Sequence, residues 1–185
     1  MTTEPTSHRP EKAAIGPEGI RHPIEFLFAD HDRLRVVCAA LERLANDCTA
    51  EDAQENAAFA LSYLESELPL HIADEEQDLF PLLKRRCAPD DEIDTILALL
   101  NDEHEADQEY QLRLLEPLRS IAAGAQPADT VEFGHAARAF SVFQRRHLAW
   151  ENGTVLPLAR KRLTAADQAD MGRRMADRRR SPVAG

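Results

Sequence analysis

Two stretches of the chain repeat the same chemistry. His71-Ile72-Ala73-Asp74-Glu75 leads to Phe80-Pro81-Leu82, and His147-Leu148-Ala149-Trp150-Glu151 leads to Leu156-Pro157-Leu158. In each, a Glu follows the His by four residues, a Pro follows it by ten, and a basic triplet closes the stretch, Lys84-Arg85-Arg86 or Arg160-Lys161-Arg162. Residues four apart share a helix face about one turn distant, so each stretch sets an imidazole beside a carboxylate. Two more His extend the pattern, His31 ahead of His71 and His104 ahead of His147, giving the order His, HxxxE, His, HxxxE. Four imidazoles and two carboxylates drawn into one interior call for a cation, because buried polar groups without partners are costly.

The donor mixture narrows the metal. Imidazole suits iron, zinc, copper and nickel, while carboxylate oxygens suit harder ions and can bridge two of them. No pair of Cys has the spacing of a structural zinc site. If Glu75 and Glu151 each bridge two irons, every iron has two His nitrogens and two carboxylate oxygens, and an oxo or hydroxo bridge adds a fifth donor. One octahedral position per iron then stays open for dioxygen, peroxide or nitric oxide.

Such a site needs long helices to carry it. The 185 residues, 43% hydrophobic and 30% charged with only seven Gly, describe one globular domain rich in helix-favouring side chains. The apolar spacing predicts helices from Pro23 to about Asn46, from about Ala53 to Arg86 with Pro69 and Pro81 as kink or break points, from Pro89 to about Gly124 with a bend at Pro117, and from about Ala128 to Arg162. Thr164 is a candidate cap for a short fifth helix through Met171 and Met175, expected to pack on the outside. Short connections imply antiparallel neighbours, so the expected fold is all-α, an up-down-up-down four-helix bundle with a short extra C-terminal helix. Residues 1–19, with three Pro, two Gly and no apolar run, read as a disordered leader, residues 20–163 as the bundle, and 164–185 as a short helix and basic tail.

These residues resemble the hemerythrin-like, or HHE cation-binding, domain family, over about Ile20 to Leu163. The resemblance implies a non-haem di-iron centre held by His31, His71, Glu75, His104, His147 and Glu151. Oxygen carriers of the family place a fifth His four residues after the third-helix His, where this chain has Gln108, and they use a longer spacing to the last carboxylate. The HxxxE form is instead similar to bacterial HHE proteins of redox stress, to iron-centre repair proteins and to the eukaryotic F-box iron sensor. The expected function is therefore binding or sensing of oxygen, peroxide, nitric oxide or iron status. A di-iron oxidase, a peroxide-consuming enzyme and a repair protein are the alternatives, and whether the chain is an enzyme stays open. Gln108 is a candidate weak ligand or hydrogen-bond donor.

Other residues carry weaker signals. Cys38, seven residues after His31, is either a redox partner beneath the site or a small buried apolar side chain. Glu132 and His135 form one ExxH, but His135 is rotated away from His147 on a helix, and His135, His8 and His22 read as having a structural or solvent role. Trp150, Phe80 and Tyr110 either dry the centre or fill ordinary core. A net charge of −11 disfavours nucleic acid and anionic lipid as partners, so Arg178-Arg179-Arg180 reads as a solvated tail. No apolar run is long enough to cross a membrane. Three Cys without pairing pattern suit a reducing cytoplasm, and a homodimer is compatible with the sequence. No nucleophile elbow or phosphate loop points to hydrolase or nucleotide chemistry. The single domain favours a stand-alone protein over a sensor fused to an output domain.

Overall fold

Alternation of Leu, Ala and Phe with charged residues at helical spacing produces the elements of the computed structural model, which describes residues 20–180. The expected leader, with His8, and residues 181–185 lie outside the described residues. Helix α1 spans Pro23–Asn46, with Pro23 in the first turn, where its missing N–H costs nothing. The second rod comprises α2 (Ala53–Ser62), α3 (Leu68–Asp74) and α4 (Phe80–Arg86). Helix α5 runs Ile93–Ala122, and α6 (Thr130–Trp150) leads into α7 (Leu156–Arg162). Helix α8 spans Ala165–Arg180. α1 packs on α2 and α6, and α5 packs on the same two, so four rods close into a bundle.

Of the kinks or breaks expected at Pro69 and Pro81, neither is a break. A π-helical turn, Tyr63–Glu67, precedes Pro69, and another, Glu75–Leu79, precedes Pro81, so the rod continues through both. Pro157 has the same device in Glu151–Val155. In each case the residue just before the Pro donates its N–H five residues back, Leu68 to Tyr63, Phe80 to Glu75 and Leu156 to Glu151. The wider turn admits a ring that would collide with the carbonyl four residues back in a regular α-helix.

Two other boundaries differ from expectation, while α5 closes at Gly124 as expected. Pro89–Asp91 forms a separate 3-10 turn, and Glu92 takes a left-handed conformation (φ 49°), so α5 starts at Ile93. The fourth rod begins at Thr130 because the Asp129 carboxylate accepts from the N–H groups of Val131 and Glu132 at 3.0 and 2.9 Å. Gly124 closes α5 with φ 81°. Thr164 does cap the last helix: its hydroxyl accepts from the Asp167 N–H at 3.1 Å while Asp167 Oδ2 accepts from the Thr164 N–H at 3.0 Å.

Helix α8 is not an outside appendage. Met171, Met175 and Ala176 are fully buried against a lower core that includes Ile24, Leu27, Phe80, Leu83 and Leu156. An upper core holds Leu34, Leu41, Leu64, Leu118 and Phe140. Helix α8 is docked by a close backbone contact: the Ile20 N–H donates to Gly172 O at 3.2 Å, and a Cβ on Gly172 would lie 2.0 Å from Ile20 O. Gly172→Ala is expected to destabilise the protein by about 2 kcal/mol, in the range of overpacked contacts. Denaturant titration checks it, and an unchanged midpoint would contradict this docking. The basic triplets also do more than complement helix ends, since Arg86 grips Asp167 with two bonds of 2.9 Å and Arg162 reaches Asp91 at 2.7 Å.

Candidate metal centre

The two apolar cores are separated by a polar belt, and every rod contributes to it at one level. On α1, His31 lies between Leu27 of the lower core and Leu34 of the upper. His71 and Glu75 lie between Leu68 and Leu79, and His104 lies between Leu100 and Leu114. His147 and Glu151 fall between Phe140 and Val155. All six side chains are buried, His31, Glu75 and Glu151 completely.

Their atoms form two overlapping groups, His31, His71, Glu75 and Glu151 in one, Glu75, His104, His147 and Glu151 in the other, each within 4.8 Å. Both glutamates belong to both groups. His31 Nε2 stands 3.6 Å from Glu75 Oε1 and 3.4 Å from Glu151 Oε2. His71 Nε2 and His104 Nε2 approach Glu75 Oε2 at 3.5 and 3.4 Å, and His147 Nε2 approaches Glu151 Oε1 at 3.2 Å.

The outer nitrogens explain this orientation. Three Nδ1 atoms bond an oxygen acceptor, Asn152 Oδ1 at 2.9 Å for His31, Glu76 Oε1 at 2.9 Å for His104 and Glu103 Oε2 at 2.9 Å for His147, and His71 Nδ1 stands 3.2 Å from Asp30 Oδ2 as an ion-pair contact. An imidazole that donates through Nδ1 presents a lone pair at Nε2, so lone pairs converge inward. His104 Nε2 and His147 Nε2 face each other at 3.1 Å, which two lone pairs do not tolerate without a cation or a proton between them. His31 Nε2, His71 Nε2 and all four oxygens of Glu75 and Glu151 have no hydrogen-bond partner. Buried donors and acceptors left this way are rare in native proteins and mark a place where something else binds. The donor set fits one metal ion in each group.

The electrostatics agree. Burial works against charge on His71, but Glu75, Asp30 and Glu151 outweigh it and push the imidazole up to about 10. Burial likewise opposes charge on His147, and Glu151 with Glu75 and Glu103 pushes it up to about 9. Glu75 is held well below the usual carboxylate range, burial being overcome by His71, His104 and His31. The site is a cation trap that protons fill when metal does not.

Gln108 departs from expectation: it is exposed and turned away from the centre. The buried stripe of α5 steps from Leu97 to Leu100, His104, Asp107 and, after a partly buried Gln111, Leu114, a heptad rhythm in which a four-residue step is followed by a three-residue step. Asp107 therefore takes the inner position one turn beyond His104. It accepts from Gln144 at 2.7 Å and Gln111 at 2.8 Å. The heptad phase was the available signal for Asp107. Gln144, three residues before His147 on the other facing helix, follows from the same logic.

Cys38 lies in the upper core, fully buried, with its thiol pushed up to about 12 by burial, so it stays a protonated apolar side chain. His22 and His135 are exposed, and Glu132 pairs with Arg113 on the surface. Phe80 stacks on His104 at 6.0 Å, Phe143 on His147 at 6.5 Å, and Tyr110 packs against Phe143; Trp150 is 42% exposed. A narrow crevice lined by Leu68, Ile72, Asp107, Phe143 and Gln144 ends on His71, His104 and His147. Larger surface recesses lie elsewhere, one at the far end of the bundle near Thr49 and His135, one between Lys84 and Ile96 beside Trp150.

The basic cluster expected to be a solvated tail is instead engaged. Arg179 donates to Asp74 at 2.6 Å, and Arg178 donates to Asp78 at 2.9 Å and also to Asp74. Charged side chains are drawn onto the bundle because Asp74 and Asp78, both buried, need counter-charges. Among the described residues no helix is long and apolar enough to cross a membrane.

No curated protein matches the chain in sequence. The family model described as Hemerythrin HHE cation binding domain matches residues 22–159, a span that holds all six centre residues.

Proposed function

The chain belongs to the hemerythrin HHE cation-binding domain family, and from that premise we propose that it is a non-haem di-iron protein that binds or senses oxygen, peroxide, nitric oxide or iron status. His31 and His71 would hold one iron and His104 and His147 the other, with Glu75 and Glu151 shared between them. The observation that carries this reading is the inward convergence of four anchored imidazoles on two carboxylates that lack any other partner. Iron suits nitrogen and bridging-oxygen donors together, and when bound it supplies one-electron chemistry and a coordination position open to a small ligand.

The chain's own residues define what can reach that position. Asn152, Glu76 and Glu103 bond the outer nitrogens of His31, His104 and His147 and so orient those rings, and Asp30 stands beside the outer nitrogen of His71. Phe80 and Phe143 lie nearly parallel to the His104 and His147 rings at 6.0 and 6.5 Å and make that side of the centre apolar. The crevice beside His71, His104 and His147 is too tight even for a water molecule, which speaks against oxidation of a bulky organic substrate. Three free cysteines accord with a reducing cytoplasmic setting.

The test is anaerobic loading with iron(II), followed by metal analysis and optical spectra before oxygen, after oxygen and after its removal. Two irons per chain are expected. Bands that disappear when oxygen is removed mean reversible binding, and persistent ferric bands mean that the centre reacts with the oxidant as a redox sensor or peroxide-consuming protein would. Failure to take up iron while another divalent metal fills both positions would overturn the iron assignment.

A further inference from the structure

We propose that Arg178 and Arg179 are positioning residues of the metal centre: from α8, beyond the matched family domain, they hold the turn that carries Glu75, and retention of metal at the His31–His71 position depends on them. The inference rests on the two-metal reading above. Asp74 immediately precedes Glu75 and Asp78 lies in the π-helical turn that Glu75 opens; Arg178 and Arg179 grip Asp74, and Arg178 grips Asp78 together with Arg174. Asp74 is 0% exposed and Asp78 1%, so neither has water as an alternative partner. Arg179 is itself fixed, donating to Met175 O at 3.0 Å and lying 4.7 Å over the Phe26 ring of α1. The grip therefore ties α8, the Glu75 turn and the helix that carries His31 into one unit.

A π-helical turn needs such support more than an α-helical one, because its hydrogen-bond pattern is the rarer and less self-sufficient of the two. The internal repeat supplies the comparison. In the second half, Trp150 stands where Asp74 does and Thr154 where Asp78 does, and neither makes an ion pair. There, Asn152 of the turn is bonded to His31 Nδ1, so that turn is held from within the centre. The Glu75 turn has the matching bond, Glu76 Oε1 to His104 Nδ1 at 2.9 Å, but from an exposed side chain, and it adds the buried grip from α8. His71 and Glu75 both sit on the gripped rod and both face the His31–His71 position, whereas only Glu75 of the second group does. Loss of the grip should loosen the first position more than the second, which shares only Glu75 with that rod.

The measurement is release of iron(II) from the full-length loaded protein to excess coloured chelator, with Arg178→Gln/Arg179→Gln compared with wild type. One of the two irons is expected to leave at least about tenfold faster, in line with the loss of outer partners of metal ligands, while the second, which shares only Glu75 with the gripped rod, is accelerated by a clearly smaller factor. Arg86→Gln, which loosens α8 at its other end through Asp167, is expected to leave both rates unchanged. Identical release of both irons from the double variant would overturn the proposal, as would equal acceleration of both by Arg86→Gln. If the double variant does not fold because Asp74 is left buried and unpaired, Asp78 keeping Arg174, Asp74→Asn/Arg178→Gln/Arg179→Gln removes that charge. The proposal expects one labile iron in it too, and two tightly held irons would sink it. A wild type that holds no iron would instead count against the di-iron reading, and this inference would fall with it.

Discussion

Glu151→Ala is expected to strip both metals from the protein, and His71→Ala to strip at least the one shared with His31. Glu151 faces both groups, with one oxygen 3.4 Å from His31 and the other 3.2 Å from His147, so no second residue replaces it. A ligand present at a thousand times its dissociation constant stabilises the folded state by about 4 kcal/mol. For a chain of this size that corresponds to roughly 8–16 °C in melting temperature. The loaded wild type should therefore melt higher than either variant by about that margin, and elemental analysis should find the variants depleted. His135→Ala and Gln108→Ala serve as controls with full metal content, since both side chains are exposed and outside the centre. Full occupancy in Glu151→Ala would remove the basis of the site.

The second large effect is on pH dependence. In the metal-free protein His71 and His147 are raised to about 10 and about 9 by the carboxylates around them, against an ordinary value near 6.5. A folded-state value above the unfolded one means that protonation stabilises the fold. That contribution is fully present below about pH 6.5 and is lost as pH rises through 9 to 10. Glu75 has the opposite sign, its contribution disappearing only as pH falls below the carboxylate range. The melting temperature of chelated protein should thus fall between pH 6.5 and 10, and that of loaded protein should change far less, because metal replaces the protons. The same protons compete with metal. Each proton displaced on loading makes the apparent affinity rise about tenfold per pH unit, so two displaced protons predict a rise of up to about a hundredfold per unit below pH 9. Chelator competition at three pH values checks this, and a flat affinity would show that the imidazoles are already neutral before metal arrives.

Several structural features act together in these effects. The π-helical turns at Glu75 and Glu151 let the rods carry Pro81 and Pro157 without breaking, and each begins on a shared glutamate. The outer acceptors orient the rings of His31, His104 and His147. The arginines of α8 neutralise carboxylates that would otherwise add to the negative charge around the centre. Removal of any one leaves the six inner residues present but less well aimed, which is why changes in release rate and pH profile report on them better than occupancy alone.

Much of the centre was legible in the sequence because its strongest constraint is local. A His and a Glu four apart on a helix are neighbours whatever the rest of the chain does, and the repeat of that pair with two further His at similar intervals defines four helices and six donors. Apolar spacing likewise determined the all-α bundle and the position of α1. The partners of those donors were not legible. Asn152 reaches His31 across 121 positions in the chain, Glu103 reaches His147 across 44, and Arg179 reaches Asp74 across 105. No local spacing encodes such pairs; they arise only when packed rods bring distant side chains within bonding distance and burial leaves them no water to choose instead. For the same reason Gln108, the right residue by count, turned outward while Asp107 turned in. The chain alone determined which residue types meet at the belt; the rotation of each helix in the packed bundle decided which atoms face inward, which carboxylates are shared and what holds them there.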